Sequence, residues 1–289
     1  SPLEVIWNDS TNTCGNPAPV VDKRTGDILL LSTWNLGSDH EKAITNQTSR
    51  DTRRVYVLSS SDDGLTWSSP REITNDVKLS GWTWYATGPG SGVQIEKGRF
   101  KGRLVVACDH VEAASNTSFS HVIYSDDHGQ TWKLGGTVPG GKENESTVAA
   151  LPKGALLINM RNSGPARYRQ VALSRDGGIS WYDMHGDSAL PEPVCEGNLI
   201  SCHRPGKKSC LLFANPASTI ARVNMTVRIS YNGGKTWPLY HTVYTGPSAY
   251  SNLTVLPDGN IGCLFEAGYG NPYEGIVFQS IKFDDIKNW

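Results

Sequence analysis

The sequence lacks an excess of either charge, and this excludes several classes of partner. Among its 289 residues, 27 are Lys or Arg and 28 are Asp or Glu, which gives a formal net charge of -1. No basic excess is available to bind nucleic acid or an anionic lipid surface. Its apolar runs are too short to span a bilayer. We therefore expect neither nucleic-acid binding nor membrane insertion.

Cysteine is also scarce. Six cysteines are too few for a disulfide framework in a chain of this length. The sequence contains no Cys-x-x-Cys and no His-x-x-x-His spacing, so a zinc site is not expected. Cys195 and Cys202 are close enough along the chain to pair across a loop. Buried free thiols are nevertheless the interpretation that we favour.

Sustained helical periodicity is missing, whereas residues that favour turns are abundant. Thirty Gly and sixteen Pro indicate many turns and short strands. Segments such as VVDKRTGDILLL and TVLPDGNIGCLFE have the pattern of strand, Gly-containing turn and strand. No linker interrupts this pattern. The sequence therefore predicts one all-β domain over residues 1–289.

One motif, Ser-x-Asp-x-Gly-x-Thr-Trp, recurs four times, with Ser replacing Thr in the third copy and Asn replacing Asp in the fourth. Asp or Asn accepts backbone N–H bonds in a tight turn, Gly supplies a positive φ, and Trp packs between neighbouring sheets. The copies end at Trp67, Trp132, Trp181 and Trp237, which are spaced by 65, 49 and 56 residues. This spacing is that of a four-stranded blade with its loops, so the repeats predict a β-propeller.

These repeats resemble the Asp boxes of the non-viral sialidases (exo-α-neuraminidases). Other stretches resemble that family along essentially the whole chain: CGNPAPVVD, TSRDTRRVYV, GWTWYATGPGSGVQ, NESTVAALPKGALLINMRN, FANPASTIAR and GPSAYSNLTVLPDGNIGCLFEAG. The resemblance implies a six-bladed β-propeller, of which about five blades are present here. It also implies an exo-α-sialidase that hydrolyses terminal α-linked sialic acid from glycoproteins, glycolipids or oligosaccharides. That chemistry requires no metal or organic cofactor.

Sialic acid carries a carboxylate on its anomeric carbon, which would repel a carboxylate nucleophile. Enzymes of this family use a tyrosine instead, and the reaction retains configuration through a tyrosyl–sialyl intermediate. Because a phenol has a pKa near 10, a neighbouring glutamate must act as its base. By resemblance, Tyr250 in GPSAYSNL is the nucleophile and Glu145 in NES is its partner, with Glu143 as the alternative.

The substrate carboxylate is expected to bind to arginines, whose planar guanidinium groups form paired hydrogen bonds with it. The resemblance assigns Arg161 and Arg222 to the arginine triad, and Glu266 to the orientation of the remaining arginine. The alternatives are Arg167 and Arg169 for the first position and Arg228 for the second. The spacing from Glu145 to Arg161, and that from Arg222 to Tyr250, fit the bacterial pattern of the family.

Three aromatic residues, Trp82, Trp84 and Tyr85, lie in the Gly- and Pro-containing stretch GWTWYATGPG. Aromatic faces suit the apolar face of a sugar and its N-acetyl group, so these residues are candidates for a substrate-binding rim. Core packing explains at least one of them equally well. His110 and His121 resemble no catalytic residue, and we expect them to be satisfied or exposed.

The family pattern also contains an Arg-Ile-Pro strand with the third arginine, followed by the Asp that serves as general acid and base. This sequence contains no Arg-Ile-Pro. We therefore expect the chain to lack most of the first blade, to be nearly inactive alone, and to pair with the missing N-terminal segment. Asp39 and His40 in GSDHE are not expected to replace the missing acid.

Two other functions fit the same resemblance. A trans-sialidase would use the same residues and pass the sugar to an acceptor hydroxyl. A non-catalytic sialic acid-binding propeller would need neither Tyr250 nor Glu145, whose presence argues against it. The expected partner is a sialylated glycan, which favours a secreted, periplasmic or cell-surface location. Glycans on the sequons at Asn144 and Asn252 would block the site, which favours a bacterial source.

Overall fold

The computed structural model describes residues 3–204 and 206–286. Its strands form antiparallel sheets, and two short helices, Glu41–Thr45 and Thr74–Val77, lie in connections. In the described part of the chain, no helix is both long and apolar enough to cross a membrane.

The first two sheets follow each other along the chain. The first contains β1 (Thr13–Val21), β2 (Ile28–Asn35), β3 (Arg54–Ser60) and β4 (Arg71–Glu72), paired in that order. The second contains β5 (Trp82–Thr87), β6 (Val93–Gln94), β7 (Leu104–Glu112), β8 (Thr117–Ser125) and β9 (Lys133–Thr137). Both β5 and the short β6 pair with β7, which is followed in the sheet by β8 and β9.

The remaining strands form a four-stranded and a six-stranded sheet. The third sheet contains β10 (Glu143–Ala150), β11 (Leu156–Asn162), β12 (Tyr168–Ser174) and β13 (Tyr182–Pro191). The fourth contains β14 (Asn198–Cys202), β15 (Cys210–Pro216), β16 (Val223–Ser230), β17 (Leu239–Val255), β18 (Ile261–Ala267) and β19 (Gly275–Ile281). Apart from the short β6, which pairs with β7 beside β5, each sheet is a meander of sequential neighbours, as in a propeller blade.

The number of sheets differs from the expected number of blades because of β17. This strand has 17 residues; its first part pairs with β16, and its last part, from Ser248 to Val255, pairs with β18. It is thus the outermost strand of one blade and the first strand of the next. Four sheets therefore correspond to four blades and a three-stranded fifth unit.

The Asp boxes form the predicted turns. In the first copy, Asp62 accepts a hydrogen bond from the Thr66 amide at 2.9 Å, and Ser60 accepts one from the Gly64 amide at 2.9 Å. The corresponding amide bonds recur at Asp127, Asp176 and Asn232. The last shows that an asparagine oxygen serves the turn as a carboxylate does.

Three of the Asp-box tryptophans join blades. Trp132 is buried in an apolar cluster with residues of the first two sheets. Trp181 packs where the second and third sheets meet, and Trp237 packs where the third and fourth meet. Each of these indoles therefore packs between its own blade and the preceding one, as predicted. The core is built at these blade interfaces.

Candidate active site

Three polar side chains from three strands meet at one point. The hydroxyl of Tyr250 on β17 donates a hydrogen bond to Glu145 Oε1 on β10. Arg161 on β11 donates from Nη1 to Glu145 Oε2, and the same nitrogen lies 3.3 Å from the Tyr250 oxygen. The side chains of Arg161 and Glu145 are 18% and 14% exposed, so a ligand can reach them.

Local irregularities of the strands aim two of these side chains. The pairing of β10 with β11 shifts register between Glu143 and Ser146, a segment that includes Glu145. The pairing of β17 with β18 shifts between Ser248 and Ser251, a segment that includes Tyr250. Such bulges redirect side chains and are frequent next to active sites.

The electrostatics of the cluster keep the phenol protonated and the guanidinium charged. Burial raises the pKa of Tyr250, and the neighbouring Glu145 raises it further. Burial disfavours the charge of Arg161, but Glu145 outweighs that effect and raises the pKa of the guanidinium. Tyr250 can therefore react as a nucleophile only if a base takes its proton, and Glu145 is in contact with that proton.

Arg222 lies near the ring of the same tyrosine. Its guanidinium carbon is 5.7 Å from the centre of the Tyr250 ring, and Nη2 donates to the carbonyl of Val194 at 2.9 Å. Nη1 donates to the hydroxyl of Tyr273, whose side chain is largely exposed. Arg161 thus contacts the hydroxyl of Tyr250, and Arg222 lies near its ring. Nothing in the sequence pointed to Tyr273, because it lies in an irregular loop between β18 and β19.

Glu266 lies beside the same tyrosine on β18. Its Oε2 accepts a hydrogen bond from the backbone N–H of Tyr250 at 3.1 Å. In the described part of the chain, Glu266 therefore contacts the backbone of Tyr250.

The alternative residues have other contacts. Arg169 is fully buried and pairs with Glu192 at 2.8 Å. Arg228 is buried on β16, and Glu143 accepts a hydrogen bond from the Gly141 amide at 2.8 Å. Arg167 is exposed, and none of the three alternative arginines has a hydrogen bond to Tyr250 or Glu145 in the described part of the chain.

The prediction of a sugar-facing aromatic rim is wrong for two of its three residues. Trp82 is only 7% exposed and Tyr85 is fully buried. Trp82 stacks on His110 with 3.5 Å between ring centres, and the Tyr85 hydroxyl lies 3.0 Å from His121 Nε2. The cause is a register shift between Trp82 and Tyr85 in the pairing with β7, which leaves both residues facing the core.

Trp84 lies instead in a polar pocket of about 240 Å³. Other residues of this pocket are Glu41, Asp109 and Asn144, and the last precedes Glu145 in the chain. Burial raises the pKa of Asp109, and the charge of Glu145 adds to the effect. Sequence reasoning missed Asp109 because it follows an apolar run in β7.

The described residues contain no group of three or more His, Cys, Asp or Glu side chains placed to hold a metal ion. All six cysteines are free thiols. Cys195 and Cys202 are therefore not bonded to each other, and the favoured interpretation of free thiols holds.

Comparison with known proteins agrees with the fold and the repeats. A family model described as BNR repeat-like domain matches residues 2–263. A sialidase of Micromonospora viridifaciens is 36% identical over 267 residues, which cover 89% of this chain and 41% of that protein. Sialidase-2 of Mus musculus is 31% identical over 296 residues, covering 91% of this chain and 73% of that one.

A solved structure gives the same result. The Hadza microbial sialidase Hz136 superimposes with a TM-score of 0.85 at 33% identity, over 96% of this chain and 54% of the other. The chain belongs to the sialidase family. Its fold is the sialidase β-propeller, although the chain spans about half or less of the length of Hz136 and of the Micromonospora relative.

Proposed function

We propose that this sialidase-family chain carries the reacting face of an exo-α-sialidase, with Tyr250 as the nucleophile. The observation that carries the proposal is the contact of Tyr250, Glu145 and Arg161, drawn from three strands. A tyrosine in contact with a glutamate base is the arrangement required where a carboxylate nucleophile would be repelled by the substrate.

In the proposed reaction, the Tyr250 oxygen forms a bond to the anomeric carbon of sialic acid while the glycosidic bond breaks. Glu145 takes the phenolic proton. The leaving alcohol needs a proton from a general acid, and Asp39 does not suit this role because its Oδ2 accepts the Arg50 and Asp51 amides at 3.0 and 2.9 Å. Water then displaces the tyrosine, so two inversions give net retention.

The substrate carboxylate is the group that Arg161 and Arg222 would bind. Both guanidinium groups lie close to Tyr250 and can form charge-assisted hydrogen bonds to a carboxylate. The proposed substrate is a sialylated glycan, which suits a secreted, periplasmic or cell-surface protein.

The test is hydrolysis of a fluorogenic aryl sialoside, whose leaving group departs without a proton from the enzyme. Tyr250→Phe should lower kcat/KM by about 10³-fold or more, because the nucleophile is lost. Tyr244→Phe is the matched control on the same strand, since its hydroxyl donates to the carbonyl of Gly268 at 2.8 Å. That variant should keep kcat/KM within about threefold of the wild-type value.

The same assay separates the alternatives. Transfer of the sugar to an added acceptor sugar, instead of water, would identify a trans-sialidase. Binding of sialic acid without turnover would indicate a non-catalytic propeller. Turnover that survives Tyr250→Phe would contradict the proposed nucleophile.

A further inference from the structure

The segment of β17 that carries Tyr250 is held by side chains as well as by strand pairing. Glu266 accepts the N–H of Tyr250, and Glu196 Oε2 accepts the N–H of the next residue, Ser251, at 2.9 Å. Asn198 Oδ1 accepts the N–H of Leu253 at 3.0 Å. Glu196 and Asn198 belong to the start of the preceding blade, so the proposed nucleophile's backbone is also held from outside its own three-stranded unit.

Glu196 and Asn198 each have a buried polar atom that forms no hydrogen bond among the described residues. Glu196 is 2% exposed, and its Oε1 has no hydrogen-bond partner among the described residues. The same is true of Asn198 Nδ2. Both atoms face Gly90, where a Cβ would lie 3.5 Å from Oε1 and 3.3 Å from Nδ2. A buried carboxylate with one unpaired oxygen is costly, whereas an uncharged carboxyl is much less so.

The charges around Glu196 do not compensate for an ionised form. The titratable groups that act on it from the surrounding strands are Arg169, Glu145, Glu266, Cys195 and Cys263. The one cation among them, Arg169, is already paired with Glu192. The two other carboxyl groups, Glu145 and Glu266, repel a negative charge at Glu196.

We propose that Glu196 is a positioning residue for the Tyr250–Glu145 pair and that it acts as an uncharged carboxyl group. By holding the Ser251 amide, it directs the Tyr250 hydroxyl toward Glu145. Loss of its proton places an unpaired negative charge in this buried site, where the charge of Glu145 repels it. The functional part of this inference rests on the proposed sialidase activity; the charge state and the amide contact do not.

The direction of the titration supports the geometry. Burial raises the pKa of Glu196 to about 8, from an ordinary value of 4.5. The folded protein then keeps a proton that the unfolded chain releases, so this group lowers stability as the pH rises from about 4.5 to 8. In Glu196→Gln the amide keeps the shape and the acceptor oxygen but cannot ionise.

The first experiment needs no turnover. In urea unfolding, the unfolding equilibrium constant of the wild type should rise relative to that of Glu196→Gln by up to about tenfold per pH unit between 4.5 and 8. Glu96→Gln, a partly exposed glutamate that pairs with Lys23, is the control and should show no such trend. Hydrogen exchange of the Ser251 amide should accelerate in Glu196→Ala and stay slow in Glu196→Gln.

The second experiment uses the aryl sialoside. Glu196→Ala should lower kcat by about tenfold or more with little change in KM, because the nucleophile is misdirected. At pH 6.5, Glu196→Gln should have the same kcat as the wild type. In the pH profile of kcat/KM, its alkaline limb should be shifted to higher pH. A merely structural glutamate would not move that limb.

The outcomes separate this inference from the proposed function. Loss of turnover in Tyr250→Phe with an unchanged pH profile in Glu196→Gln would overturn the role of Glu196 alone. If the wild type shows no turnover, the hydrogen-exchange and urea experiments decide. The inference is overturned if the Ser251 amide exchanges as slowly in Glu196→Ala as in the wild type. It is also overturned if the unfolding free energies of the wild type and Glu196→Gln depend on pH in the same way.

Discussion

At the scale of single residues, two buried histidines of the second blade take no part in the proposed mechanism. His110 and His121 are both fully buried, and their Nδ1 atoms lie 3.0 Å apart. Trp82 covers one ring, and Tyr85 lies against the other. Both are therefore core residues of the second blade; both ring nitrogens of His121 have partners, whereas His110 Nε2 has none among the described residues.

Because these two histidines are buried, we expect the free energy of unfolding to fall in acid. Burial lowers the pKa of His110 from 6.5 to about 3 and lowers that of His121 as well. Below pH 6.5 the unfolded chain takes up protons that the folded state excludes. The free energy of unfolding should therefore fall by up to about 1.4 kcal/mol per pH unit per histidine as the pH drops from 6.5 toward 3.

NMR of the imidazole ring protons checks this directly. The signals of His110 and His121 should stay constant between pH 7.5 and 4.5. A titration of either buried ring near pH 6.5 would show that water and protons reach this cluster, and the predicted acid loss would then not occur.

At the scale of elements, the Asp-box turn allows two causes of destabilisation to be separated. Gly64 and Gly129 occupy the same motif position with φ of +84° and +81°. A Cβ at Gly64 would have its nearest contact at 3.7 Å, whereas one at Gly129 would lie 2.3 Å from a methyl of Leu29, in the preceding blade. Any side chain strains both turns, but only the second also clashes with the core.

We expect Gly64→Ala to cost about 1 kcal/mol and Gly129→Ala to cost about 2–4 kcal/mol in unfolding free energy. Urea unfolding at neutral pH measures both. A double variant Gly129→Ala with Leu29→Ala should show a coupling that relieves part of the clash. Equal costs for the two single glycine variants would mean that the backbone strain, and not the blade contact, dominates at this position.

The elements also show why the sequence predicts some features and not others. The Asp boxes are local, since each turn is closed by bonds within about seven residues, and the sequence predicts them well. The direction in which the Trp82 side chain points depends on a bulge in the pairing of β5 with β7. The alternation of residues along a strand does not reveal such a bulge. Glu196 contacts Ser251, 55 positions away, and Tyr273 contacts Arg222, 51 positions away. Their place in the candidate site therefore follows from how distant segments pack together.

At the scale of the whole molecule, stability depends on how well neighbouring blades adhere. Arg103 illustrates this: it pairs with Asp126 of its own blade at 2.8 Å and donates to the carbonyl of Gly177, in the Asp box of the next blade, at 3.0 Å. The Asp-box tryptophans provide the apolar part of the same contact. The active-site cluster depends on this adhesion, because Glu145 and Arg161 belong to the third sheet and Tyr250 to the fourth.

The Asp-box tryptophans provide a matched test of that adhesion. Trp132 is 2% exposed between the first two blades, whereas Trp67 is only half-buried and its indole N–H donates to Gly64 at 3.0 Å within its own turn. Trp132→Ala should lower the unfolding free energy by about 3–5 kcal/mol, because a large cavity opens between blades. Trp67→Ala should cost about 1–2 kcal/mol, since less apolar surface is lost. If urea unfolding gives equal losses, the indoles stabilise their own turns and not the blade interfaces; if Trp132→Ala alone also lowers the m-value, the blades have begun to unfold separately.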